Sequence, residues 1–140
     1  MKNSISQENI VWQAAHTAVN AAVRQAEKLD VAIAAAVVDR SGNLVSFLRM
    51  EKGPYLSIDI AIDKAYTAAS FSIPTSQWET VLPKDSILRQ GILNRPRFIG
   101  FGGGVPIVLD GECIGAIGVS GATEEQDEAC ANAGINAINQ

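Results

Sequence analysis

The chain has 140 residues, 47% of them apolar and 19% charged, with a formal net charge of −4. That length suits one domain, able to bury roughly two-thirds of its unfolded surface. The acidic balance and the absence of any Lys/Arg run leave no electrostatic footprint for nucleic acid or an anionic membrane. Residues 1–13 carry no apolar core of signal-peptide length, and the longest apolar run, residues 31–38, is too short to span a bilayer. The expectation is a cytoplasmic protein. Cys113 and Cys130 lack metal-ligand spacing and read as two small buried hydrophobes.

A first helix is predicted over residues 6–29. Ser4 and Ser6 are possible N-caps, and Ser4 with Gln7 has the spacing of a capping box. Val11, Ala15, Val19, Ala22, Ala26 and Leu29 form its apolar stripe. Residues 31–38 are apolar throughout, as a central strand buried on both faces should be. Asp39-Arg40-Ser41-Gly42-Asn43 supplies a turn, and residues 44–50 alternate as its hairpin partner. After the Gly53-Pro54 break, Ser57 is a plausible N-cap for a second helix reaching Phe71, ended by Ile73-Pro74. Ile58, Ile60 and Ile62 make that helix apolar nearly all round, so it must be buried by its own fold or by another subunit.

Residues 77–94 read as irregular helix interrupted by Pro83 and Gly91. Three strands are expected at 98–102, 105–109 and 112–119, the last two joined by Asp110-Gly111 as a type I′ turn. Thr123 and Gln126 make a capping box for the last helix, whose first turn is crowded with Glu124, Glu125, Asp127 and Glu128. Strands that follow one another through short turns form an antiparallel sheet. The fold class is α/β in the α+β sense. It is a three-layer sandwich of about five antiparallel strands, with the first and last helices on one face and the Ser57 helix on the other.

The segments VVDRSGNLVSFLRM, IDIAIDKAYTAAS and FGGGVPI…DGECIGAIGVSGATEEQD together resemble the GlcG/HbpS family. Its members also form the C-terminal domain of PduO-type proteins. The likeness runs in register from about Ile10 to Ala137. It implies a profilin-like fold, assembly into a homo-oligomer and, in some members, binding of haem or a related tetrapyrrole. Nothing here resembles the domain with which PduO-type proteins make adenosylcobalamin, so that activity does not carry over.

His16, the only histidine, is either a surface or interface residue or, as the resemblance suggests, a ligand to haem iron, with Met50 or a hydroxyl as possible second ligand. Arg49 and Lys64 are the cations best placed to meet an anionic group. Lys64, mid-helix in apolar company, needs either a carboxylate partner, for which Asp39, Asp59 and Asp63 are candidates, or an anionic ligand. Gly102, Gly103 and Gly104 expose backbone N–H groups that could cradle an anion, or they mark a sharp corner or a close approach. They lead into a strand, so a dinucleotide fingerprint is excluded. The acids of the last helix read as capping rather than metal ligation, and neither Ser120 nor either cysteine has a visible base except His16.

These residues and the resemblance lead to one reading. The protein is a haem- or tetrapyrrole-binding accessory of a glycolate-, diol- or glycerol-type catabolic pathway, without catalysis of its own. The alternative is a small enzyme or binder of short hydroxy acids or aldehydes, with Arg49 and Lys64 holding the anionic group.

Overall fold

The computed structural model describes residues 1–139. Helix α1 (Trp12–Lys28) starts later than the serines suggest, with Val11 as an N-cap that offers no side-chain hydrogen bond. The cause lies just before it. Ile10 is buried and donates its backbone N–H to the Ile114 carbonyl at 3.0 Å, and the Asn9 side chain accepts from the Arg40 N–H at 2.7 Å. A residue tied sideways to a strand cannot also enter the helical ladder, so Ser4 and Ser6 stay exposed.

Strands β1 (Ala34–Asp39) and β2 (Leu44–Arg49) pair antiparallel as a hairpin. Asp39 shapes the turn, its carboxylate accepting from the Ser41 and Asn43 N–H groups. Helix α2 (Leu56–Phe71) takes Ser57 into its first turn instead of using it as a cap. That buried hydroxyl accepts from Ser120 at 3.3 Å. Ser72, in the left-handed region at φ 56°, closes the helix. A 3-10 turn (Thr75–Gln77), helix α3 (Trp78–Val81) and helix α4 (Ile87–Leu93) follow. Pro83 separates the two helices as expected, whereas Gly91 sits within α4 with open space around it.

The segment 98–102 is not a strand. The Ile99 N–H donates to the Thr67 hydroxyl and the Gly102 N–H to the Glu124 carboxylate, so its backbone is satisfied by side chains of α2 and of the last helix. The sheet therefore has four strands, not about five. Strands β3 (Gly104–Leu109) and β4 (Glu112–Ser120) complete the order β2-β1-β4-β3, antiparallel throughout. Asp110 and Gly111 both have positive φ, 51° and 82°, as a type I′ turn requires. Helix α5 (Glu124–Ile138) opens on the anticipated Thr123/Gln126 capping box.

The three-layer α+β arrangement holds. Helices α1 and α5 pack Ala15, Val19, Ala22, Cys130 and Ala131 against Ala35, Val37, Ile117 and Val119 of one sheet face. On the other face Ala61, Ala65 and Ala68 of α2 meet Ala34, Ala36, Val38 and Ala116. The fully buried side chains at this second contact are Ala and Val, with Phe47 and Ile62 at its margin, and Gly118 has none. A Cβ at Gly118 would collide with the Ala61 carbonyl, and one at Gly104 would lie 2.5 Å from the Lys64 carbonyl. The backbone of α2 thus rests almost directly on β3 and β4. Gly118→Ala should destabilise the protein by about 3 kcal/mol, the upper end of overpacking costs, read from chemical denaturation. An unchanged midpoint would contradict the close approach.

Candidate functional site

Close packing of α2 brings Lys64 into the interior. Its side chain is 1% exposed, and Nζ donates to the Val119 carbonyl at 2.9 Å and to Asp127 Oδ2 at 3.2 Å. The carboxylate of Asp127, on α5, also accepts from the Ala122 N–H through Oδ1 at 3.0 Å. The Phe101 ring lies 5.0 Å from the ammonium. Gly103 makes the passage possible, because a Cβ there would stand 2.6 Å from Nζ. The pair ties α2 on one sheet face to α5 on the other.

Burial lowers the Lys64 pKa and raises that of Asp127, the attraction between them acting as the counterweight in each case. Lys64 is therefore engaged with a carboxylate, but not with any of the three acids read from the sequence. Asp63 pairs with Arg97 at 3.0 Å, Asp39 belongs to its turn, and Asp59 is exposed. A sequence signal for Asp127 existed: it precedes Cys130, Ala131 and Gly134 at spacings of three, four and seven, the buried stripe of α5.

The glycine corner is occupied by the protein's own groups. Gly102 N–H donates to Glu124 at 2.7 Å, Gly104 N–H donates to the Thr75 hydroxyl at 2.9 Å, and the Gly103 carbonyl accepts from the Val119 N–H at 2.9 Å. Gly103 has φ 128°, which disfavours any side chain. Arg49 lies elsewhere. Its guanidinium donates to the Met50, Glu51 and Gly53 carbonyls and stands 5.4 Å from the Tyr55 ring centre. The structure joins Lys64 to the glycines but does not bring Arg49 to them.

His16 is exposed on α1, one turn after Trp12, which is 66% exposed, and makes no hydrogen bond among the described residues. Ala14 shares a cavity with Ile138 of α5. His16 comes two residues later, about 200° round the helix, so it faces away from α5. Val23, further along α1, packs on the same core as Val45 of β2, placing β2 beside the helix. Met50 turns inward, its sulfur accepting from the Ile33 N–H at 3.3 Å.

Cys130 is buried, which pushes its thiol up to about 11, and Cys113 is half-buried with its thiol on the Gly115 carbonyl. Among the described residues no cluster of His, Cys, Asp and Glu could hold a metal ion, and no helix is long and apolar enough to cross a membrane. Fold and side-chain placement together define a small α+β domain with a closed, ion-paired interior and an exposed face that carries an indole and an imidazole.

The chain belongs to the family described as haem degrading protein HbpS-like, whose model matches residues 10–136. It is 34% identical over 141 residues to an uncharacterized 15.0 kDa protein in the dhaT-dhaS intergenic region of Citrobacter freundii, covering 100% of this chain and 99% of that one. It is 32% identical over 126 residues to the corrinoid adenosyltransferase PduO of Salmonella typhimurium, covering 89% of this chain and 37% of that protein. Among solved structures, the Klebsiella pneumoniae protein ORFY superposes with a TM-score of 0.91 at 34% identity, covering 99% of this chain and 97% of that one. A PduOC:haem complex superposes with a TM-score of 0.85 at 31% identity, covering 94% and 96%.

Removing Lys64 strips Asp127 of its counterweight and lifts its pKa further above the ordinary 3.8. The contribution of such a carboxyl to stability is fully present below 3.8 and is lost as pH rises through its folded pKa. Lys64→Met should therefore cost about 3–5 kcal/mol at neutral pH and progressively less on acidification. Lys64→Met/Asp127→Asn should recover most of the loss, since Asn can still accept from Ala122. Denaturation at several pH values checks this, and a cost independent of pH would contradict it.

Proposed function

We propose that the protein binds haem or a related tetrapyrrole without catalysing a reaction, with His16 on the iron, and that it does so as a homo-oligomer. The PduOC:haem complex, similar over nearly the whole chain, is the observation that carries this reading. The residues on the outer face of α1 fit one part of such a site. His16 offers an imidazole free of internal partners, and Trp12 offers an aromatic wall one turn away. Haem would supply the iron centre; His16 would offer it a nitrogen and Trp12 an apolar contact.

An exposed helix face cannot bury the 70–90% of ligand surface that tight sites usually enclose, in about the proportion drug-sized ligands require. A second copy laid over α1 and the β2 edge would close it, and exposed Leu48, on the α1 side of β2, gives that copy an apolar side chain to meet. The role that follows is accessory to a catabolic pathway of the glycolate, diol or glycerol type, in the cytoplasm. The alternative in which Arg49 and Lys64 together hold a small anion has less support, because each cation is engaged with different groups of the protein.

Titration of apoprotein with haemin should give a saturable Soret shift, and His16→Ala should weaken it at least tenfold, equivalent to about 1.4 kcal/mol. Because His16 is exposed and unbonded, the variant should keep the wild-type melting temperature. Saturable binding with an unchanged Soret band in His16→Ala would remove His16 from the site, and unsaturable binding would remove haem. Sedimentation with and without haemin reads the assembly.

A further inference from the structure

Helix α4 has seven residues and none of them is buried. Helices this short are marginal in water, and Gly91 in its interior weakens this one further. Arg89 and Leu93 border the same cavity as Trp78 and Leu82, so one side of the helix faces the body of the protein. Ile87, Leu88 and Gly91 lie on the other side of the wheel. Ile87 is 86% exposed and Leu88 60%, and a Cβ at Gly91 would have no neighbour within 4 Å. A bare apolar face of this kind marks a contact with another molecule. Its surroundings are basic in an acidic chain, since residues 81–97 hold four cations and one acid. Exposed Lys84 and Arg95 flank the face, and neither has a carboxylate within ion-pair distance among the described residues.

The opposite character is found between β3, the start of α1 and the end of α5. A groove of about 260 Å³ there is lined by Ile10, Ala14, Ile107, Leu109, Ile114 and Ile138, with no lysine or arginine. Glu8 stands at its rim, and the adjoining β3–β4 hairpin adds exposed Asp110 and Glu112. None of these three acids has a cation within ion-pair distance among the described residues. The β3/β4 register shifts after Ile107, and Val108 and Leu109 beyond the shift are both exposed. The groove lies on the side of α1 away from His16.

We propose that the α4 face of one copy seats in this groove of a second copy. Ile87 and Leu88 enter the groove, and Lys84 and Arg95 meet Glu8, Asp110 and Glu112. The two halves of the contact lie on different parts of the same chain, so it is head-to-tail. Two α4 faces laid together would oppose like charges instead. Head-to-tail contacts repeat from copy to copy and close into a ring where the rotation allows. This gives the proposed homo-oligomer a second surface, one that uses no residue of the haem face and needs no haem.

The test is sedimentation of the full-length apoprotein without haemin. The wild type should be larger than a dimer, with association that weakens as salt rises. Ile87→Ser should weaken association at least tenfold with the circular dichroism spectrum unchanged. Lys84→Glu/Arg95→Glu and Glu8→Lys/Glu112→Lys should each lower the mass as well. An equimolar mixture of those two variants should recover it, because each reversed rim then meets the other. A wild type no larger than a dimer, a mass unmoved by Ile87→Ser, or a mixture that fails to reassociate would overturn the proposal. His16→Ala should leave the apoprotein's mass unchanged, and a lowered mass there would place the contact on α1 instead.

Discussion

The near-contact of α2 with the sheet governs the rest of this structure. A helix normally stands off a sheet by the length of the side chains between them. Here Ala61, Ala65 and Ala68 face Ala34, Ala36, Ala116 and a bare Gly118, so the two backbones almost touch. Only small residues permit this, and any added methyl meets a carbonyl rather than a side chain that could move aside. The apolar area at such a contact is modest, but the dispersion contacts are dense.

That approach explains why a lysine can be placed inside the protein. The long Lys64 stem passes the gap at Gly103 and ends among a carbonyl, a carboxylate and an aromatic face. Taken alone, a buried pair of this kind is weak evidence for stability, because desolvation opposes the attraction. Its effect here is geometric. One pair connects helices on opposite faces of the sheet, and Glu124 in the first turn of α5 holds the glycine corner. The interior is consequently full. The surface differs: the α1 face presents the His16 imidazole and the Trp12 indole to solvent.

Local signals in the sequence were strong wherever neighbours along the chain decide the structure. The Asp110-Gly111 turn, the Thr123/Gln126 cap, the buried run of β1 and the turn at Asp39 all depend on residues a few positions apart. Signals failed where a distant group competed for the same backbone. The serines near the N-terminus resemble caps, but Ile114 and Arg40 draw residues 9 and 10 away from the helix. The segment 98–102 has strand-like composition, but Thr67 and Glu124 take the N–H groups that a neighbouring strand would need.

The candidate residues divide in the same way. The sequence leaves His16 as a surface or interface residue or an iron ligand, and the structure finds it exposed on α1. That Lys64 needs a partner is legible from an ammonium among apolar neighbours; that the partner is Asp127 is not, with 63 positions between them. The bare face of α4 carried no sequence signal, since which of its residues turn outward is settled only once α3, α4 and α5 are packed. Periodicity, turn chemistry and the family pattern therefore determined the layers, the strand directions and the class of protein. Tertiary packing alone decided which charges pair, which backbone groups are taken by side chains, and how many strands the sheet has, because each is settled by competition between groups far apart in the chain.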